Sequence, residues 1–167
     1  MKANNKLSRM VTKIGGAPKF LYSFLLSQLF GRAVKFAGTA GIQIQKLDFQ
    51  QAVLVQQNSR KVQNHIGSVH AAAMALLGES ATGFLVGMHV PDDRLPLLKS
   101  MHLDYVKRAT GKLTATASLT EAQIEQIRSE EKGEVTVQVQ LMDELGVEPV
   151  LAQYVWAWVP KKRSASN

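Results

Sequence analysis

The chain has 167 residues, enough for one domain with a substantial core, and its 46% hydrophobic and 20% charged content excludes global disorder. It has no cysteine, which removes disulfides, thiolate metal sites and cysteine nucleophiles and fits a cytoplasmic setting. The net charge of +7 admits nucleic acid, anionic lipid or phosphorylated small molecules as partners without choosing among them, and no apolar run is long enough to span a bilayer.

Residues 1–16 read as loosely ordered. Lys2, Lys6, Arg9 and Lys13 precede the apolar stretch Phe20–Leu26, a faint signal-peptide pattern. Lys19 abuts that stretch and no small-x-small cleavage site follows, so secretion is not expected. Pro18 suits a first helical turn, and Leu21, Phe24, Leu25, Leu29 and Phe36 recur at helical spacing. This predicts a helix to about Ala37, packed on the domain; the competing reading is a membrane-surface helix flanked by Lys19, Arg32 and Lys35.

Gly41–Gln45 and Ala52–Gln56 then read as a strand pair. Residues 69–82 change character: alanine and leucine favour a helix, Ser68 is placed to cap it, and the segment is apolar nearly all round, which predicts burial. Strand periodicity returns with Phe84, Val86 and Met88. Leu97, Met101, Leu103 and Tyr105 share one face, with Ser100, His102 and Asp104 opposite. Leu113, Ala115, Ala117 and Leu119 form the next apolar row; Thr120 followed by Gln123 suggests a capping box opening a short polar helix or loop. Val135, Val137, Val139 and Leu141, and then Ala152, Tyr154, Trp156 and Trp158, form the last two rows.

The order predicts an α+β domain in which a mostly antiparallel sheet wraps a central buried helix, with an extra N-terminal helix. The expected boundaries are an N-terminal tail and helix over 1–40, the wrapped domain over 41–160 and a basic tail over 161–167.

The chemistry is concentrated in Asn64-His65-Ile66-Gly67-Ser68-Val69-His70-Ala71-Ala72, a loop feeding the buried helix, and in Glu79. Amides in a first helical turn lack intrahelical acceptors, and the helix dipole there favours negative charge, so the start suits a carbonyl oxygen turning into an oxyanion. Ala71 and Ala72 leave room for close approach. Glu79 is a carboxylate on an apolar helix, where burial raises its pKa toward values useful for acid–base work. Eight residues separate Ala71 from Glu79, about 12 Å of rise and an offset near 80°. The two can meet on one substrate only if Glu79 comes from a second subunit, which predicts a two-fold dimer, extendable to a tetramer.

The pattern Asn64-x-x-Gly67-Ser68-Val69-His70-Ala71-Ala72, with an acid nine residues after the histidine, resembles the PaaI-like acyl-CoA thioesterases of the hotdog superfamily. The family's usual form is Asn-x-x-Gly-[Ser/Thr]-x-His-Gly-Gly followed by Asp. The resemblance covers about residues 40–160 in element order and is motif-specific from Asn64 to Glu79. It implies a hotdog fold and hydrolysis of an acyl-CoA or acyl-carrier thioester. The Ala71 N–H would polarise the carbonyl, His70 shape the site, Asn64 position water or thioester, and Glu79 act as base or nucleophile from the facing subunit. Ala71-Ala72 in place of Gly-Gly, Glu in place of Asp, and Leu98 near the place of an assisting hydroxyl, with Ser100 close by, mark a divergent branch.

Gly67, Ser68 and Ala72 are expected to contact substrate, and Lys99, Ser100, Lys107 and Arg108 to line it, the basic residues meeting coenzyme A phosphates. Coenzyme A enters as part of the substrate. No other cofactor and no metal are expected, and neither nucleic acid nor membrane is expected as a partner. A non-catalytic acyl-thioester or lipid-binding hotdog protein is the alternative.

Overall fold

The computed structural model describes residues 5–161, so the basic tail expected over 161–167 falls, beyond Lys161, outside the described residues. Six strands form one sheet: β1 (Gln43–Leu47), β2 (Gln51–Gln56), β3 (Arg94–Tyr105), β4 (Leu113–Ser118), β5 (Gly133–Asp143) and β6 (Val150–Pro160). Their order is β1-β2-β4-β5-β6-β3, and every pairing is antiparallel. The helices are α1 (Lys6–Ile14), α2 (Lys19–Ala33), α3 (Lys35–Ala40), α4 (Ala71–Gly87) and α5 (Glu121–Ser129). α4 packs against β2 through β6, so the sheet curls around it, as the sequence pattern predicts for a hotdog fold.

The wrapping follows from the alternation. Leu113, Ala115 and Ala117 of β4, Val135, Val137 and Leu141 of β5, and Tyr154, Trp156 and Trp158 of β6 are buried and meet the apolar surface of α4. Gly78 and Gly83 let α4 approach closely: a β-carbon at Gly78 would lie 2.4 Å from the Tyr154 hydroxyl, and one at Gly83 would lie 2.5 Å from the Trp156 ring. Thr120 and Gln123 form the expected capping box, and α5 follows.

Four expectations are corrected. Residues 6–14 are helical rather than loose: Asn5 caps α1, and its Nδ2 donates to Gly87 O and Val90 O at 2.8 and 2.6 Å. The helix expected from Pro18 to Ala37 breaks at Val34 into α2 and α3, which touch at glycine; a β-carbon on Gly38 would sit 2.3 Å from Gly31 O. The Phe84/Val86/Met88 alternation is not a strand, because α4 continues to Gly87; a helix buried on all sides carries no amphipathic period. A register shift between Leu98 and Ser100 divides β3: Leu98 pairs with Trp156 and Met101 with Tyr154, both buried, whereas Leu97 pairs with half-buried Ala157. Paired residues share a face, so Leu98, Met101, Leu103 and Tyr105 point toward α4 and Leu97 does not.

β3 pairs only with β6, leaving a twelve-residue sheet edge, and Pro96 within it suits an edge strand. No helix among the described residues is long and apolar enough to cross a membrane.

Candidate active site

The loop entering α4 is held by its own side chains. Asn64 Oδ1 accepts from the N–H groups of Ile66 and Ser68, both at 3.1 Å, and Asn64 N–H donates to Ser68 O at 2.8 Å. Gly67 closes the turn with φ +76°, a conformation that a side chain would strain. Ser68 is buried, and its Oγ accepts from Arg108 Nε at 3.2 Å while Arg108 Nη2 donates to Ile66 O at 3.0 Å. Asn64, Ser68 and Arg108 are therefore brought together, with much of their bonding spent on the loop.

The helix cap is His70, not Ser68. His70 is the last residue with extended backbone, and its Nδ1 accepts from Ala72 N–H at 3.0 Å; Ser68 lies two residues too early. Capping through Nδ1 leaves the ring proton on Nε2. The amides of Ala73 and Met74 donate to His70 O at 2.9 and 3.0 Å. Ala71 N–H, at an exposed position, has no acceptor among the described residues. The first turn thus keeps one uncommitted donor, on Ala71, with the dipole of a seventeen-residue helix behind it.

Tyr105 completes the helix start, its hydroxyl donating to Ala71 O at 2.9 Å. From its sequence, Tyr105 is expected to share one strand face with Leu97, Met101 and Leu103 and to have no site role. An aromatic hydroxyl at the end of an apolar row, needing a polar partner, was the available signal.

Further along α4, Glu79 is half-buried and makes no ion pair among the described residues. Its nearest polar contact is a long one, from Ser80 Oγ at 3.4 Å. Burial pushes its carboxyl above the ordinary range, and the Ser80 contact offsets only part of that. Tyr154 donates its hydroxyl to Ala75 O at 2.9 Å. Burial, and then the nearby Tyr105 and Glu79, hold the Tyr154 hydroxyl above its usual range, so it remains a donor.

Beside the helix start, Phe36, Ala40, Val62, His70, Ala73 and Leu76 line a mostly apolar groove of about 210 Å³. Ala72 also faces it. Lys99 and Ser100 lie elsewhere: Lys99 pairs with Glu134 and is about 20 Å along the strand from Tyr105. Ser100 pairs with Val155 and so faces away from α4. Lys107 is exposed just past β3, its backbone N–H donating to Pro149 O at 3.1 Å.

The family model of a domain of unknown function, DUF4442, matches residues 23–159. The chain belongs to the DUF4442 family. This DUF4442 chain resembles several solved structures. One is a Pseudomonas aeruginosa protein of unknown function named a probable thioesterase, with 25% identity and a TM-score of 0.74 over 82% of this chain and 95% of that one. A Haemophilus influenzae thioesterase shares 14% identity with a TM-score of 0.66 over 84% and 92% of the two chains. A Staphylococcus aureus thioesterase variant shares 19% identity with a TM-score of 0.64 over 75% and 99%. At those lower identities the likeness concerns the hotdog fold. A comparison with curated proteins finds no match.

Proposed function

We propose that this DUF4442 protein hydrolyses acyl thioesters, with coenzyme A or an acyl carrier as the thiol, at sites shared between two subunits. One observation carries the reading: Glu79 is a half-buried carboxylate with no ion pair among the described residues and a raised pKa, on a helix whose buried side chains carry no charge. Structural acids in such places are normally paired; an unpaired one tuned toward neutrality is suited to proton transfer. The thioesterase names of the structural neighbours support the same substrate class.

The reaction needs an acid–base group and an oxyanion donor. The thioester carbonyl rests on Ala71 N–H, the uncommitted donor of the first turn. Glu79 of the partner subunit takes a proton from water as the water oxygen bonds to the carbonyl carbon. Ala71 N–H holds the oxyanion. The intermediate collapses with cleavage of the carbon–sulfur bond, and the thiolate takes the proton from the partner's Glu79, giving carboxylic acid and free thiol. Asn64 keeps the loop in register for this contact, and His70 fixes the helix start. The free edge of β3 supplies the seam for the two-fold dimer. The apolar groove at Phe36 and Leu76 receives the acyl or pantetheine arm, and Lys107 with Arg108, the latter held at the loop by Ser68 and Ile66, supplies cations for the phosphates. This chemistry is complete without a metal or redox cofactor.

The alternative, an acyl-thioester binder without turnover, is favoured by Leu98, which points an aliphatic group toward α4 where the resembled family can carry an assisting hydroxyl.

Two variants test the mechanism. Ala71→Pro deletes the donor at the first helical position, where proline fits, and the preceding His70 already has a compatible ψ of 144°. Thiol release from an acyl-CoA panel should fall about 10²–10³-fold in Ala71→Pro, and about 10²–10⁴-fold in Glu79→Gln. Binding of the panel without thiol release by the wild type selects the non-catalytic alternative. Full activity in Glu79→Gln refutes the mechanism, and a strictly monomeric active enzyme refutes the shared site.

A further inference from the structure

The N-terminal helical layer has two faces of different character. α2 is tied to β1 by its inner face: Tyr22 OH donates to Leu47 O at 2.8 Å, Ser23 Oγ donates to Ile44 O at 2.7 Å, and Ile44 N–H donates to Ser27 Oγ at 2.8 Å. Leu26 and Phe30 on the same side are buried. These five positions fix how α2 is rotated and so leave Phe20, Leu21, Phe24 and Leu25 outward. Phe20 is 79% exposed and Phe24 59% exposed; Phe36, on α3, is 65% exposed. The inner face of α2 thus meets β1, and its outer face is left exposed.

The segment that carries this face has charges of one sign. Residues 5–47 include Lys6, Arg9, Lys13, Lys19, Arg32, Lys35 and Lys46 and no Asp or Glu. Arg9 and Lys46 pair with acids from outside that stretch, Asp92 and Asp48. Lys13, Arg32 and Lys35 are exposed and make no ion pair among the described residues. Phe20, Phe24, Gln28 and Arg32 recur every four residues and line one side of an open groove of about 560 Å³, whose floor includes Ser27, Gly31 and Gly38.

We propose that this face binds the surface of an anionic membrane, with Phe20, Leu21, Phe24 and Leu25 entering the headgroup–acyl boundary and Arg32 and Lys35 meeting the lipid phosphates. An outward apolar stripe on a segment whose only charged residues are cations fits that partner. A second copy of the chain would have to bring the same unneutralised cations against this patch, which disfavours it as the occupant. The helix lies in the interface and does not cross it; α2 is fifteen residues long, too short to span a bilayer. Arg32 can keep its guanidinium at the phosphates while its stem lies along apolar surface. The proposal does not depend on thioester hydrolysis.

The test uses the full chain and vesicles of phosphatidylcholine with or without about one-third phosphatidylglycerol, read by co-sedimentation. The wild type should sediment with the anionic vesicles, stay in solution with the neutral ones, and release as salt is raised. Phe20→Glu with Phe24→Glu should weaken partitioning at least about tenfold. Both side chains are solvent-facing, so the thermal transition should be retained. Arg32→Gln with Lys35→Gln should flatten the salt dependence, a readout that does not rely on the phenylalanine variant. Light scattering on each variant completes the set. No sedimentation of the wild type with anionic vesicles overturns the proposal. So does unchanged binding by the phenylalanine variant, and so does a fall in its oligomeric mass, which would assign the face to a contact between copies.

Discussion

The two ends of α4 share one helix and little else. Its first turn is open: Ala71 and Ala72 are exposed, His70 caps it with a ring nitrogen, and one amide is uncommitted. From Ala81 to Val86 the same helix is almost wholly buried, with Gly83 pressed to Trp156 and Trp156 Nε1 donating to Thr82 Oγ1 at 2.9 Å. Packing secures one end so that the other can keep an unsatisfied donor at little risk to the fold. Glu79 sits between the two regimes, half-buried and without an ion pair among the described residues.

The sharpest way to break this division is at the packed end. Trp156→Ala removes a large buried side chain and its hydrogen bond to Thr82, and should cost about 3–5 kcal/mol of stability in urea unfolding. A cost near zero would mean that α4 is anchored elsewhere. At the open end, His70→Ala deletes a cap and should cost about 1 kcal/mol by the same measurement, with the transition remaining cooperative. A loss as large as that of Trp156→Ala would erase the distinction between the ends.

The smallest effect concerns Glu79 and pH. Burial raises its carboxyl pKa in the folded chain above the unfolded value, so the native state binds that proton more tightly. Below the unfolded pKa both states are protonated and there is no penalty. As pH rises through the window between the two values, the folded chain loses stability relative to the unfolded one. Glu79→Gln should therefore be slightly more stable than wild type at neutral pH, and the gap should close in acid. An opposite slope in unfolding experiments across that range would show that Glu79 has a stabilising partner. Hydrolysis by the wild type should rise with pH through an apparent pKa above that of an ordinary glutamate.

Much of this architecture was written in local pattern. The rows at Leu113–Ala117, Val135–Leu141 and Tyr154–Trp158 alternate with period two because one face is buried and the other is not. The small-residue run after His70 announced a buried helix, the order of helix and strands was enough for a sheet wrapped around it, and the resemblance from Asn64 to Glu79 implied the hotdog fold. The Ala71 amide was legible from the rule that first-turn donors lack partners. What escaped depended on distant residues. α1 is secured by contacts from Asn5 to Gly87 and Val90 and from Lys6 N–H and Arg9 to Asp92, more than eighty positions away. The break at Val34 answers to a contact between Gly31 and Gly38. The shift in β3 at Leu98/Ser100 turned Leu97 away from its expected neighbours, because an added residue reverses which side each later side chain faces. Ser68 lost the capping role because the helix began two residues later than its composition suggested.

The Gly31–Gly38 contact reaches further than the bend it permits. α3 contributes Phe36, Thr39 and Ala40 to the groove beside the helix start, and where α3 lies is set by how nearly those two glycine backbones touch. Any side chain at position 38 would have to lever the segments apart and displace that wall. The width of this groove is thereby governed by a hinge-like spacing at a residue outside it, and a bulkier side chain at position 38 would change its girth without altering any group that lines it.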